Sequence, residues 1–457
     1  MSSTIKRNKY EIDMCNGTIM DKLISFSLPL MLSGILQLMF NAVDIIVIGR
    51  FSGSQSLAAV GSTTALINMF TNLFIGISLG ANVLSARFYA AGKDKEMSET
   101  VHTAITLALI SGIIMAFVGL IFAKPVLELM DTPDDVINLS TLYMRIYFMG
   151  MPFFMLYNYG ASILRAVGDT KRPLFYLIVA GIANAGLNMC LVIIFHLGVA
   201  GVAIGTVISQ LISSILVLRC LYRSETSYQL HFSKLKIQKE YLKQIFQVGI
   251  PAGIQSTVIN FSNVLLQSSV NSFGSIAMAG YTAANNIFGF LYVTVNAVTQ
   301  ACMSFTSQNY GVGKWKRMDR VLIDCLILSF VAMMILGNSA YFFGPKLLTI
   351  YTSNSKVIQC GMEILLYTTV TYFLCGFMDL FPGALRGMGR SGVPMILSII
   401  GTVGTRIVWI FWIFPNHRSL DILFISYPAS WIITIVLQVI CYYFVRKQLY
   451  AKMRAEA

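Results

Sequence analysis

Long apolar runs alternate with short, basic connections along this chain, and that alternation restricts it to a helical membrane fold. About 20 apolar residues carry a helix across the hydrocarbon of a bilayer, and a helix satisfies its backbone donors and acceptors without water. Twelve such runs lie near 24–49, 57–84, 100–123, 138–163, 174–195, 198–219, 245–272, 277–305, 321–343, 358–384, 394–415 and 421–445. The expected fold is all-α and integral to the membrane, with twelve transmembrane helices. Only 12% of the residues are charged, against about 25% in soluble domains, which excludes one large soluble core. The first 22 residues are polar and include Lys6, Arg7, Lys9 and Lys22, so the first run reads as a span and not as a cleaved leader. Only His196–Leu197 separates the fifth and sixth runs, which predicts a tight hairpin.

The net charge of +13 is a matter of topology. Of the 33 Lys and Arg residues, 26 fall on the termini and the even-numbered connections, among them Arg87, Lys93 and Lys95, then Lys171 and Arg172, then Lys314, Lys316 and Arg317. The odd connection "ELMDTPDD" (128–135) is acidic. The positive-inside rule then places both termini in the cytoplasm, in a multi-pass protein of the cell membrane. No nucleic-acid partner is needed to explain the basic excess. The eight cysteines form no CxxC pair and the four histidines no ligand spacing, so neither a disulfide framework nor a zinc site is expected. No nucleophile is set beside a His or a paired acid, and an enzyme is not expected.

The chain is doubled. "RFYAAGKDKEM" (87–97) matches "QNYGVGKWKRM" (308–318), and "LRAVGDTKRP" (164–173) matches "LRGMGRSGVP" (385–394), both 221 residues apart; Pro29 and Pro251 lie 222 apart. Several segments at one offset signal duplication. Six spans per copy make a six-helix lobe at 1–222, a cytoplasmic linker at 223–243 and a second lobe at 244–457, related by a pseudo-two-fold axis along the membrane normal. Repeats of this kind are the architecture of secondary transporters.

Within the first run, Ser33, Gln37, Asn41 and Asp44 are the polar residues between Leu28 and Val47, and Asp44 alone is ionisable. A carboxylate in hydrocarbon costs about 2.5–3.5 kcal/mol on insertion scales. "LPLMLSGILQLMFNAVDIIVIGRFSG", "LRAVGDTKRP" and "GVAGVAIGTVISQ", in this order and with the doubling, resemble the multidrug and toxic compound extrusion (MATE) family over essentially the whole chain. The resemblance implies a secondary active antiporter that exports organic cations and drugs by alternating access in exchange for H⁺ or Na⁺, working as a monomer, with no cofactor besides the coupling ion. It implies a cation or proton site of Asp44, Asn184 and Thr206, with Asn188 where the family carries a second acid. The family's other acid position, eight residues past the seventh-span proline, is Ile259 here.

Helical rise puts Asp44 roughly 9 Å, and Asn188 and Thr206 roughly 12 Å, below the outer surface. Similar depth permits convergence without proving it. Asp44 as a snorkelling interfacial acid and Asn184 with Asn188 as packing contacts stay open. Asp379 either attracts a cationic substrate or neutralises Arg406; with Gln37 and Asn41 these are candidate substrate-cavity or charge-pair residues. Pro29 is expected to let its helix bend. The competing function is a lipid-linked oligosaccharide flippase, disfavoured because only Arg145 and Arg406 stand well inside spans.

Overall fold

The computed structural model describes residues 9–130 and 132–456. Lys6, Arg7, Asp131 and the side chains of Lys452 and Arg454, all used in the orientation argument, lie outside what is described. The helices of the first half are α1 (Met20–Phe51), α2 (Gly53–Ala90), α3 (Asp94–Leu129), α4 (Asp134–Met149), α5 (Met151–Ala166), α6 (Lys171–Met189) and α7 (Gly198–Tyr222). The second half contains α8 (Lys239–Asn271), α9 (Ser275–Gly311), α10 (Trp315–Phe342), the short α11 (Gly344–Thr349), α12 (Ser355–Thr369) and α13 (Tyr372–Gly387). It closes with α14 (Gly392–Ser398), α15 (Thr405–Val408) and α16 (Leu420–Glu456).

In chain order these supply the twelve expected passes. Nine of them, among the described residues, are single helices long and apolar enough to span a bilayer, and α12 with α13 makes a tenth, bent by 44°. Several passes differ from a plain apolar rod. The fourth is split into α4 and α5 at Gly150, two residues before Pro152, whose missing N–H cannot continue the hydrogen-bond ladder. The seventh, α8, carries Gln255, Ser262 and Asn263 through its middle. The bend between α12 and α13 follows a threonine run: Thr368, Thr369 and Thr371 each donate to the carbonyl four residues back, at 2.6–2.7 Å, a bonding pattern that bends helices.

The chain divides into two compact units. The first is Met1–Asp13 with Leu28–Gly253, and the second is Met14–Ser27 with Ile254–Ala457. Each has its own apolar core, built in the first around Met97, Phe148, Tyr159 and Val202 and in the second around Tyr281, Ile364, Phe424 and Trp431. Both boundaries inside helices fall beside a proline, Pro29 of α1 and Pro251 of α8. The start of α8 belongs to the first unit because it packs backbone to backbone on α2: Gly249 and Gly253 meet Ile77 and Leu73, and Gly76 and Gly80 meet Gly253 and Ile245. Glycines four apart on both helices permit that approach.

The repeated segments read from the sequence are helix ends. Gly92 and Gly313 (φ 65° and 70°), and Gly168 and Gly389 (φ 97° and 80°), all adopt the left-handed conformation that closes a helix. That requirement explains why each glycine recurs in both copies. The predicted hairpin after α6 is made by a π-helical turn, Cys190–Ile194. His196 follows at φ 54°, the sole described non-glycine residue with positive φ.

Candidate functional site

In the first unit, α1, α6 and α7 bring four of the expected residues together. The Asn188 Nδ2 donates to Asp44 Oδ1 and lies 3.3 Å from Asn184 Oδ1. Asn184 Nδ2 in turn donates to Thr206 Oγ1 at 3.4 Å, and the Thr206 hydroxyl is also turned to the Asp44 carboxylate. Asn184 and Asn188, four residues apart, share one helix face and are buried, as Asp44 partly is. No Lys or Arg pairs with Asp44 among the described residues. The carboxylate is met by an amide and a hydroxyl instead.

Small residues set the geometry. Gly205 of α7 lies directly against the Asn188 Oδ1, and Gly201 lies against the Leu191 backbone. Gly181 of α6 receives the Phe40 ring of α1. Any side chain at these positions would hold the three helices apart. The Asn188 Oδ1 is buried without a hydrogen-bond partner, an acceptor left over in a cluster otherwise satisfied.

Sequence reasoning passed over two aromatic neighbours. Tyr143 and Tyr147, four apart on α4, stand close enough to feel the Asp44 charge. Their i, i+4 spacing in "TLYMRIYFM" was the signal available. Gln37 and Asn41 lie on the same side of α1 as Asp44, at spacings of four and three, and are exposed. Pro29 sits within α1, and its carbonyl accepts from Ser33 Oγ at 2.8 Å.

Asp379 and Arg406 take different partners. Arg406, on α15, donates from Nη1 to Ser262 Oγ at 3.1 Å and to Asn263 Oδ1 at 2.7 Å. It also stacks over the Tyr427 ring at 4.6 Å. The charged neighbour of Asp379 is Arg386, seven residues on along α13, which donates to Gln255 Oε1 at 2.7 Å. Asp324 pairs with Arg320 at 3.1 Å.

The sequence model of the MatE family matches this chain twice, over residues 29–190 and 251–412. The probable multidrug resistance protein YoeA of Bacillus subtilis (strain 168) is 30% identical over 434 residues, 93% of each chain. The multidrug export protein MepA of Staphylococcus aureus (strain NCTC 8325 / PS 47) is 23% identical over 380 residues, 83% of this chain and 84% of its own. Among solved structures, an outward-facing conformation of a multidrug resistance MATE family transporter of the MOP superfamily superposes with a TM-score of 0.89. It covers 98% of this chain and 100% of its own at 20% identity. With one family model accounting for both halves, this chain, a multi-pass membrane protein and a transporter rather than an enzyme, belongs to the MATE family of multidrug efflux transporters.

Proposed function

We propose that the protein exports lipophilic organic cations from the cytoplasm by alternating access, in exchange for a coupling cation taken up at Asp44. One observation carries this reading: an intramembrane carboxylate bonded to Asn188 and faced by Thr206, with no basic side chain against it among the described residues. Structural acids at such depth pair with a base. One left to neutral dipoles keeps its charge available to a mobile cation. Binding from outside favours one state and drug binding the other, and the two affinities must weaken each other equally.

The ion is H⁺ in our reading. Asn188 offers the carboxylate its N–H donors, which suit a carboxylate that alternates between protonated and free. Na⁺ at the same place would need the amide reversed, so that oxygen faced the ion. The bend accompanying the cycle is placed at Pro29, 15 residues before Asp44, where the α1 ladder already lacks one donor. Gln37 and Asn41 border the substrate path, Asp379 attracts its cationic occupants, and both termini face the cytoplasm. The two six-helix lobes act as the moving bodies.

The test uses purified protein in liposomes loaded with a lipophilic cationic dye, under a pH gradient or a Na⁺ gradient in separate runs. Dye movement driven by the pH gradient and lost in Asp44→Asn is the expected result. Movement that follows Na⁺ and ignores pH overturns the choice of ion. No movement under either gradient, in folded protein, overturns the antiport reading and returns the lipid-linked flippase.

A further inference from the structure

The two copies can be compared position by position, and the comparison places Arg406 on Asn184. Pro173 and Pro394 lie 221 residues apart, whereas the two family matches end at 190 and 412, 222 apart. With those two ends taken as equivalent positions, the second copy gains one residue between these points. The π-helical segment Ile399–Gly404 accounts for it; α6 runs through the equivalent stretch as an uninterrupted α-helix. A π-turn accommodates one extra residue within a helix. Beyond it the offset is 222, and Arg406 falls on Asn184.

The contacts of each residue agree with this register. In the first unit, the α6 cluster joins α1 through Asp44 and α7 through Thr206. In the second, Arg406 joins α8 through Ser262 and Asn263, and α16 through Tyr427; α8 and α16 are the counterparts of α1 and α7. Asn263 is the twin of Asn41, and the twin of Asp44 is Leu266, which is 1% exposed. Hence the second unit lacks the carboxylate and carries a guanidinium where the first carries an amide.

The groups around that guanidinium are a hydroxyl oxygen, an amide oxygen and an aromatic face, all of which hold a desolvated cation. Its Nε is buried without a partner, and among the described residues no carboxylate is bonded to it. We infer that Arg406 is a tethered cation occupying the second unit's counterpart of the coupling site, so that the coupling ion enters through the first unit alone. The inference rests on reading the Asp44 cluster as the coupling site.

Arg406→Ala leaves a guanidinium-sized gap between Ser262, Asn263 and Tyr427. In the purified full-length protein it should lower the melting temperature by roughly several degrees. Millimolar methylguanidinium should restore most of that loss, while potassium chloride at equal ionic strength should not. A variant that melts like the parent, or one that methylguanidinium fails to rescue, overturns the inference. Should Arg406→Ala not be recovered folded, Arg406→Lys and Arg406→Met decide, since Lys keeps the charge and Met only the bulk. Retained stability and transport in Lys with loss in Met supports a tethered cation; Met equal to Lys overturns it. Rescue is read from stability, so a failure of Asp44→Asn to abolish coupled transport would show separately. That failure would remove the coupling-site reading and leave the filled position standing.

Discussion

Gly205→Ala tests whether the amide of Asn188 works as part of the ion site. An added Cβ would fall well inside the contact distance of the Asn188 Oδ1, with its Cγ at 3.3 Å and its backbone N at 3.5 Å. The amide must yield by about 1 Å to reach an ordinary contact. It cannot do so and keep its two bonds, one to the Asp44 carboxylate and one to Asn184. A hydrogen bond to a charged group is worth about 1.5–3 kcal/mol, and each 1.4 kcal/mol is about tenfold in affinity. Apparent affinity for the coupling ion should therefore change by about 10- to 100-fold, with an overpacking cost to stability of about 1–3 kcal/mol. Gly186→Ala is the control, because on α6 its added Cβ would meet nothing within 4 Å. The assay is the initial rate of dye movement in liposomes against the size of the driving gradient, with thermal melting to establish folding. If Gly205→Ala and Gly186→Ala give the same gradient dependence, the Asn188 amide takes no part in the ion site.

Other perturbations separate the remaining contacts. Asn188→Asp puts a second carboxylate against Asp44 and should add a Na⁺-dependent component to transport; unchanged indifference to Na⁺ would refute the charge argument. Glu11 accepts from the hydroxyls of Tyr89 and Tyr228, both at 2.6 Å, so Glu11→Gln should cost about 2 kcal/mol as two charge-assisted bonds become neutral ones, read as a lower melting temperature. His102 accepts from the His231 N–H at 3.0 Å through Nε2, and its Nδ1 lies 2.6 Å from the Ser98 carbonyl. In His102→Ala the connection 224–238 should lose this anchor to α3 and be cut faster by protease, with an unchanged cutting rate counting against the anchor.

How far the sequence reached depends on whether a property is local. The passes were legible because apolar length is counted along the chain, and the fourth and tenth depart from plain rods through local chemistry, at Pro152 and at the threonines 368, 369 and 371. The doubling was legible because Gly92, Gly168, Gly313 and Gly389 each meet a backbone requirement that no other residue meets as easily. The packing of α2 on α8 was also written locally, as "GISLG" and "GIPAG", but its partner was not, since a glycine pair does not name the helix it approaches.

The candidate site shows the limit. Helical rise along the chain put Asp44, Asn188 and Thr206 at a common depth, and the family likeness named them. Depth leaves the rotation of each helix about its axis free. That rotation was decided by packing, with Phe40 seated on Gly181 and Asn188 on Gly205. Arg406 and Asp379 illustrate the same point from the other side. Both are charged residues inside neighbouring passes, and the sequence left their pairing open. The tertiary structure gave Arg406 to Ser262, Asn263 and Tyr427 and left Asp379 beside Arg386. Composition and periodicity, summed along one dimension, thus determined that this chain is a doubled, twelve-pass membrane protein. Which oxygen meets which charge was decided only by helix rotations, because those are set by contacts between residues distant in the chain, such as Asn188 and Asp44, 144 positions apart.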